Sequence, residues 1–318
     1  MRVLTGLVTA LLLAFSVLCA VGARFGDQFA TLAALGSFAH IAIAAALLAL
    51  VAALRGNQRV AAVASGLALA LNLSTAAPVL SGAGPLPEGA PALKLYMHNV
   101  LGNNTRTADV IGHVAATDPD VVVLLEIHKG NREAFRTLDL RYPHRMECWH
   151  AAHCDALILS KAPLRDVHIM RDWNEVPLGL ARARLAIGQC EVTLFTVHME
   201  RPWPFLSWQG RTLQNQQFAS LMDAVRGWPG PKIVVGDLNA ASWTVNVQRV
   251  GEAAGGTVIG GLSGTWPNYV PGPLKLPIDN IIVSRPVLAA TREVGPSLGS
   301  DHHGVLATIA ADLRHCPQ

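Results

Sequence analysis

Two oxygen-bearing side chains, Asp237 and Asn239, follow three β-branched residues in the stretch Lys232–Ala240, which reads K-I-V-V-G-D-L-N-A. Such a run predicts a buried strand that ends in a turn. In open α/β sheets, ligands bind at the carboxyl ends of strands, and two oxygen donors one residue apart can face the same metal ion or phosphate. Turns rich in Asp, Asn and Gly also follow strands for purely local hydrogen-bonding reasons, so this stretch alone does not establish chemistry.

Polar side chains end or border the other predicted strands of the same part of the chain. A carboxylate such as that of Glu126, at the end of a wholly apolar strand, is costly unless something binds it. One such residue is explained equally well by an ion pair at the rim of a fold, but their recurrence is hard to attribute to turn chemistry. The positions are Asn99 in Leu93–Val100, Glu126 after Val121–Leu125, His198 after Glu191–Val197, Asp279 before Ile281–Val283, and Asp301 with His302 before Val305–Ile309.

The motifs that carry these residues resemble those of the endonuclease/exonuclease/phosphatase superfamily of magnesium-dependent phosphoesterases. They occur in the family's order and span nearly all of residues 93–310. The resemblance implies a four-layer α/β sandwich, in which two mixed β-sheets face each other, helices cover the outside and the site lies at one edge of the sheets. The motifs are N-V at Asn99, D-P-D-V-V-V-L-L-E at Asp118–Glu126, V-H-M at Val197–Met199, G-D-L-N at Gly236–Asn239, I-D-N-I at Ile278–Ile281 and S-D-H at Ser300–His302.

Magnesium, or manganese in its place, is the cofactor that the resemblance implies. Glu126 resembles the main metal ligand, and Asn99 and Asp301 resemble residues that lie close to the metal. Magnesium takes oxygen ligands, keeps several waters and usually needs only one or two protein carboxylates, so this set is chemically sensible. Leu101 stands where some nucleases of the family have an acidic residue, which leaves a second metal contact open, and Leu125 stands where many relatives have Gln.

The resemblance implies catalytic roles for the remaining polar residues. Asp237 and Asn239 resemble the pair that orients the attacking water and the phosphate. His302, held by Asp279, resembles the His–Asp dyad of the family, and His198 resembles a donor to a phosphate oxygen. A carboxylate or an imidazole can take the proton of the water, so the sequence leaves open which of Asp237 and His302 is the base.

Three stretches without a charged residue precede this domain: Val3–Ala23, Phe29–Leu54 and Val60–Leu80. Each is long enough to cross a hydrocarbon core as a helix, so residues 1–80 are predicted to be a membrane region with about three spans. The first stretch is also compatible with a signal peptide, and the third with a soluble helix. Residues 81–92, rich in Gly and Pro, are predicted to be a linker, and residues 93–318 the catalytic domain.

The distribution of cations predicts the orientation in the membrane. Arg2, Arg55 and Arg59 lie on one side of the predicted spans, and only Arg24 lies on the other side before Lys94. Because Lys and Arg are retained on the cytoplasmic side, the catalytic domain is expected outside the cytoplasm, on a multi-pass protein of the inner membrane.

Two of the five cysteines lie in a short segment rich in histidine. Cys148 and Cys154 are expected to form a disulfide in an oxidising compartment. A zinc site that also uses His144, His150 and His153 is the alternative, although no standard paired spacing is present.

The sequence therefore predicts a membrane-anchored, magnesium-dependent phosphoesterase that hydrolyses a phosphodiester in nucleic acid or in a phospholipid head group. Beyond residue 85 the chain has 21 Lys and Arg and 21 Asp and Glu, which argues against strong non-specific binding of DNA. The aromatic stretch Pro202–Trp208 is either a loop that faces substrate or membrane, or a hydrophobic lid. A phosphomonoesterase of the same fold and a non-catalytic membrane scaffold are the alternative functions.

Overall fold

The structure, a computed structural model, describes residues 2–80, 84–151, 154–173, 176–202 and 208–316. His153 of the alternative zinc site and residues 203–207 of the aromatic stretch lie outside these ranges. The described part begins with four helices, α1 (Arg2–Phe25), α2 (Ala30–Gly36), α3 (Ala39–Arg55) and α4 (Arg59–Ala76). Val3–Phe25 and Arg59–Ala76 are long and apolar enough to cross a membrane, whereas α3 is shorter, with 17 residues. These helices suggest that the protein associates with a membrane.

The predicted second span, Phe29–Leu54, is divided into two helices. α2 ends before Ser37 and α3 begins after it. The domain that follows holds this break, because Trp243 donates its Nε1–H to the carbonyl oxygen of Gly36 at 3.0 Å, and Ser37 Oγ accepts the N–H of Ala241 at 3.1 Å. The prediction of one continuous span was wrong because the run is apolar throughout, and hydropathy gives no sign that a backbone group finds a distant partner.

The domain that follows contains two six-stranded sheets, with strand orders β11-β12-β1-β2-β4-β3 and β5-β6-β7-β8-β10-β9. The strands are β1 (Ala92–Asn99), β2 (Val121–Leu125), β3 (His144–Ala151), β4 (Cys154–Ser160), β5 (Arg165–Trp173), β6 (Val176–Ile187), β7 (Cys190–His198), β8 (Lys232–Asp237), β9 (Gly256–Ile259), β10 (Asp279–Ser284), β11 (Val287–Val294) and β12 (Val305–Ala311). The helices are α5 (Thr107–Thr117), α6 (Trp208–Arg226) and α7 (Val245–Ala254).

The two sheets pack face to face, and helices cover their outer faces. Side chains from both sheets share one core, which includes Leu95 and Val123 of the first sheet and Leu194 and Val235 of the second. Apolar residues of α5 pack on the outside of the first sheet, and those of α6 and α7 pack on the second. Burial on both sides explains why β2 is five apolar residues without alternation. The predicted four-layer α/β sandwich is confirmed.

Four of the five cysteines form two disulfides. Cys148 and Cys154 join β3 to β4 with their Cα atoms 5.4 Å apart, which is the pairing that the sequence analysis favoured over zinc. Cys190 and Cys316 form a second bond, with Cα atoms 5.5 Å apart and a separation of 126 positions in sequence. This bond was not predicted from the sequence, because residues so far apart leave no local signal. Cys19 is a free, buried thiol.

Peptide mapping of the non-reduced protein by mass spectrometry is expected to find both linkages. Reduction should lower the free energy of unfolding, mainly through Cys190–Cys316, because a loop of that length contributes about 5 kcal/mol in the chain-entropy model. Cys316→Ser should therefore destabilise the protein more than Cys148→Ser does in denaturant titrations. Free thiols at Cys148 and Cys154 in exported protein would contradict the first pairing.

Candidate active site

Strand pairing brings the predicted site residues to one edge of the sandwich. β1 and β2 run parallel and end together, at Asn99 and just before Glu126. β7 and β8 also run parallel, with His198 beside Asp237, and β10 pairs antiparallel with β8 so that Asp279 lies opposite Asp237. The strand ends of the two sheets meet across the sandwich, because Asn99 Nδ2 donates to Asp237 Oδ2 at 3.2 Å.

Three donors hold the carboxylate of Glu126. Oε1 accepts hydrogen bonds from Asn99 Nδ2 and Arg201 Nη2, each at 3.0 Å, and Oε2 accepts from the N–H of Gly102 at 2.9 Å. Glu126 has a φ of 59°, a left-handed conformation that is uncommon outside glycine and clusters at functional sites. Burial alone raises the pKa of Glu126, but these donors outweigh burial and hold the pKa below its ordinary value. The carboxylate is therefore ionised at neutral pH.

Asp237 lies at the centre of the site and is 1% exposed. Its Oδ1 accepts the N–H of Asn239 at 2.8 Å, in a turn where Asn239 has a φ of 48°. Its Oδ2 accepts from Asn99 and faces two imidazoles, with His302 Nε2 at 3.6 Å and His198 Nε2 at 3.7 Å. Burial raises the pKa of Asp237, and the positive charge of His302 opposes that rise.

His302 and Asp279 form a buried pair, with His302 Nδ1 2.9 Å from Asp279 Oδ2. Burial by itself lowers the pKa of His302, but the carboxylates of Asp279 and Asp237 outweigh it and raise the pKa to about 9. The pKa of Asp279 is correspondingly lowered, although burial alone would raise it. In the absence of metal the pair is therefore an imidazolium and a carboxylate at neutral pH.

His198 has a carboxylate partner of its own, because His198 Nδ1 lies 2.9 Å from Asp155 Oδ2. Burial lowers the pKa of His198, but Asp155, Asp237 and Glu126 together raise it to about 9. Two imidazolium groups thus face Asp237 from different sides.

Asp301 directly precedes His302 in sequence, and its negative charge helps to raise the pKa of that imidazole. Its Oδ2 accepts the Nε1–H of Trp266 at 3.0 Å, and its buried Oδ1 has no hydrogen-bond partner among the described residues. Within those residues no hydrogen bond joins Asp301 to Asn99 or Glu126. The role of Asp301 near a metal therefore stays a prediction, although an unpaired buried carboxylate oxygen is suited to a cation or an ordered water.

Asp237, Asp279 and His302 have donor atoms within 4.8 Å of one another, close enough for a metal ion. The carboxylates raise the pKa of His302 to about 9, and its Nδ1 lies 2.9 Å from Asp279 Oδ2, so this cluster is suited to sharing a proton. Magnesium takes oxygen ligands, and Glu126 supplies an ionised carboxylate. Asn99 directs its Nδ2 at Glu126 and Asp237, and its Oδ1 accepts the N–H of Leu101 at 3.2 Å, so ligation through the amide oxygen requires the amide group to turn over. The carboxylate of Glu126 is therefore the group that best fits a divalent cation.

Three residues in contact with the site were not predicted from the sequence. Asp155 is at the beginning of β4, and its position directly before the apolar run Ala156–Leu159 was the signal that could have indicated it. Arg201 follows His198 by three residues, and Trp266 lies in a loop rich in Gly and Pro. Neither carries a local signal, since their partners Glu126 and Asp301 are far away in sequence.

Asp155→Asn is expected to lower the pKa of His198 by at least about one unit in metal-free protein, because it removes the closest negative charge. Since the pKa of folded His198 is raised, its ion pair stabilises the fold fully below about pH 6.5, and this stabilisation is lost as the pH rises through about 9. NMR titration of the imidazole measures the shift. Asp166→Asn, at an exposed carboxylate, is the control, and an unchanged His198 titration in Asp155→Asn would contradict the assignment.

Comparison with known proteins places this site in a known fold. A model of the endonuclease/exonuclease/phosphatase family matches residues 98–302. A crystal structure of D. rerio TDP2, humanized by 14 mutations, superposes with a TM-score of 0.56 at 19% identity and covers 70% of this chain and 100% of the other. An endonuclease/exonuclease/phosphatase from Beutenbergia cavernae DSM 12333 superposes with a TM-score of 0.53 at 16% identity, covering 70% of this chain and 72% of the other. Sphingomyelinase C from Streptomyces griseocarneus superposes with a TM-score of 0.50 at 16% identity, covering 69% of this chain and 99% of the other. A comparison with curated protein sequences gave no significant match.

Proposed function

Because the chain belongs to the endonuclease/exonuclease/phosphatase family, we propose that it is a metal-dependent phosphodiesterase anchored in a membrane. The observation that carries the proposal is the position of Asp237, whose carboxylate lies between the amide of Asn99 and the imidazoles of His302 and His198. A carboxylate and two imidazoles that converge on one point can accept the proton of an attacking water and stabilise the charge that develops as the water attacks phosphorus.

Glu126 and Asn99 would hold the divalent cation, with Asp301 close by, and magnesium or manganese suits their oxygen donors. When bound, such a cation neutralises charge on a phosphoryl oxygen of the substrate. Arg201, which donates to Glu126 Oε1 at 3.0 Å, is half exposed and can turn from Glu126 towards the substrate.

Asp237 is the proposed base, which orients the attacking water and accepts its proton. Burial raises the pKa of Asp237, and a carboxylate with a raised pKa is a better proton acceptor. His302 has a pKa of about 9 and therefore carries its proton already, so it donates a hydrogen bond to the charge that develops on the phosphoryl group. Asn239 and His198 are the further proposed donors to phosphoryl oxygens.

Hydrolysis of a phosphodiester is the preferred reaction, in nucleic acid or in a phospholipid head group. Support comes from neighbours of the same fold, which include TDP2 and sphingomyelinase C, although the likeness to each is one of fold. A phosphomonoesterase and a non-catalytic scaffold are the alternatives. The scaffold is disfavoured because a binding module has no need of Asp237 and Asp279, both 1% exposed, at one point of the structure.

The function can be tested with the full chain in detergent, assayed with a nitrophenyl phosphodiester, a nitrophenyl monoester, DNA and a phospholipid, with and without magnesium. We expect turnover of at least one diester, loss of turnover in EDTA and loss in Asp237→Asn. Asp223→Asn, at an exposed carboxylate of α6, is the matched control. A preference for the monoester would favour the phosphomonoesterase, and no turnover of any ester would favour the scaffold.

The proposed location is a membrane that the N-terminal helices cross, with the catalytic domain outside the cytoplasm. Thr5 of α1 and Arg55 and Gln58 near the ends of α3 and α4 line one cavity, so α1 begins where α3 ends and α4 begins. At the opposite end, Arg24 donates to the carbonyl oxygen of Leu71 at 2.7 Å. The cation-rich end of the helices is therefore the end far from the catalytic domain, which supports a cytoplasmic position for that end.

A reporter that is active only outside the cytoplasm, fused after Gln318, is expected to give signal. The reason is that the cation-rich end of the helices lies far from the catalytic domain, and cations are retained on the cytoplasmic side of the membrane. A cytoplasmic reporter fused at the same residue is the control and should be inactive. Signal from the cytoplasmic reporter alone would contradict the orientation.

A further inference from the structure

His98 is a fully buried histidine that directly precedes the site residue Asn99 on β1. Alternate residues of a strand face the same side of its sheet, so His98 and Tyr96 share one face of β1. The opposite face carries Leu95, which belongs to the core between the two sheets. A buried imidazole is costly unless its nitrogens have partners, so the contacts of this ring indicate what it does.

Both ring nitrogens of His98 have partners. Nε2 lies 3.2 Å from the carbonyl oxygen of His302, and Nδ1 lies 3.0 Å from the hydroxyl oxygen of Tyr96. A carbonyl oxygen can only accept a hydrogen bond, so Nε2 carries a proton and donates to His302, whatever the charge of the ring. Burial lowers the pKa of His98 to about 4, so the ring is neutral at neutral pH and its Nδ1 accepts the O–H of Tyr96.

The main chain of His302 is held at a second point by Ser300, which is 1% exposed. The N–H of His302 donates to Ser300 Oγ at 3.0 Å, and this hydroxyl donates to the carbonyl oxygen of Asn99 at 2.7 Å. The last two residues of β1 therefore hold both main-chain groups of His302. His98 contacts the carbonyl group directly, and Asn99 contacts the amide group through the hydroxyl.

Tyr96 supports the ring of His98 from a fixed position. Its ring is fully buried among apolar residues that include Val110 and Val114 of α5. A Cβ atom on Gly304 would collide with the hydroxyl of Tyr96, so the chain passes this group at a distance that only glycine allows. The hydroxyl that contacts His98 is thus enclosed on both sides.

Resting on the proposed function, we infer that His98 is a positioning residue of the reaction, which fixes the imidazole of His302 by donating from Nε2 to the carbonyl oxygen of that residue. His302 Nδ1 lies 2.9 Å from Asp279 Oδ2, and His302 Nε2 lies 3.6 Å from Asp237 Oδ2, so the ring has to keep its place between two carboxylates. A displacement of about 1 Å at a reacting group can lower a rate about a hundredfold. Support of the main chain therefore matters for the rate.

A histidine that only completes the core would affect stability and not the rate of the chemical step. Two amides of different length distinguish these roles. Gln places its amide nitrogen close to the position of histidine Nε2, whereas Asn reaches only as far as Nδ1. His98→Gln therefore keeps a donor towards His302, and His98→Asn keeps only the contact with Tyr96.

The test measures kcat and KM for a nitrophenyl phosphodiester, using the full chain in detergent. His98→Asn is expected to lower kcat at least about tenfold and to change KM less than about threefold, because His302 acts on the transition state. His98→Gln should bring kcat back to within about threefold of the wild-type value. His113→Asn is the matched control, because its ring also packs on Tyr96, with ring centroids 5.4 Å apart, and it should leave kcat within about threefold.

A double-mutant cycle separates positioning from stability. In the His302→Ala background, His98→Asn should change kcat less than about twofold, because the group on which His98 acts is gone. NMR of the metal-free protein gives a readout that needs no turnover. The ¹⁵N chemical shifts of the His302 ring should move in His98→Asn and return in His98→Gln.

Equal losses of kcat in His98→Asn and His98→Gln would overturn the inference. So would an undiminished effect of His98→Asn in the His302→Ala background, or ring shifts of His302 that do not move. If the wild-type chain turns over no ester, the proposed function fails, and the NMR comparison alone decides whether His98 positions His302. If His98→Asn does not fold, as judged by its thermal transition, His98→Leu, which has a similar volume and no donor, takes its place with the same expected results.

Discussion

His302→Ala is expected to lower kcat by roughly two to four orders of magnitude, with no recovery at high magnesium concentration. The reason is that His302 acts on the charge of the transition state, as an imidazolium held by Asp279 at 2.9 Å and directed at Asp237. Asp279→Asn should resemble it in milder form, since the imidazole remains but loses its orientation and the charge that raises its pKa. Steady-state kinetics on a nitrophenyl diester, at magnesium concentrations from limiting to saturating, measure both effects.

Because His302 and Asp279 act as one unit, the losses of activity in His302→Ala and Asp279→Asn are not expected to be additive. The double variant of Asp279 and His302 should be little slower than His302→Ala alone, because residues that act as a unit are lost as a unit. His315→Ala, at an exposed histidine near the end of the chain, is the control for loss of an imidazole. Fully additive losses, or recovery of His302→Ala by magnesium, would show that His302 has been assigned the wrong role.

Glu126→Gln is expected to give the second large effect, a fall in activity that magnesium partly reverses. The substitution removes the ionised carboxylate that the cation needs, and disturbing even the groups that orient metal ligands costs about 10–100-fold in affinity. The apparent dissociation constant for magnesium should therefore rise at least about tenfold, and saturating metal should restore much of kcat by mass action. Titration of activity against magnesium measures the constant, and calorimetry of magnesium binding gives a readout independent of turnover.

Arg201 competes with a cation for Glu126, because its Nη2 lies 3.0 Å from Glu126 Oε1. Arg201→Gln should tighten magnesium binding, opposite to the effect of Glu126→Gln, since it removes the competing cation. Glu133→Gln, at an exposed carboxylate, is the control for loss of a negative charge. Unchanged magnesium affinity in Glu126→Gln would place the metal elsewhere, with the cluster of Asp237, Asp279 and His302 as the next candidate.

The motifs of the sequence, through their resemblance to one family, predicted the sandwich, and local patterns placed most candidate site residues at the ends of strands. A run of apolar residues such as Val121–Leu125 predicts a buried strand wherever it occurs, and a polar residue that ends it must lie at the edge of the sheet. Parallel pairing then brings such ends together, as it does for His198 and Asp237. The apolar helices could be predicted for the same reason, since hydropathy is a property of residues that are neighbours in sequence.

Tertiary structure alone decided which partners these residues have. Asp155 meets His198 from 43 positions away, and Arg201 meets Glu126 from 75 positions away, so no local pattern connects either pair. The break at Ser37 arises in the same way, because the groups that hold it lie on the catalytic domain. The contacts of Gly36 and Ser37 with Trp243 and Ala241 depend on packing between segments that hydropathy assigns to separate environments.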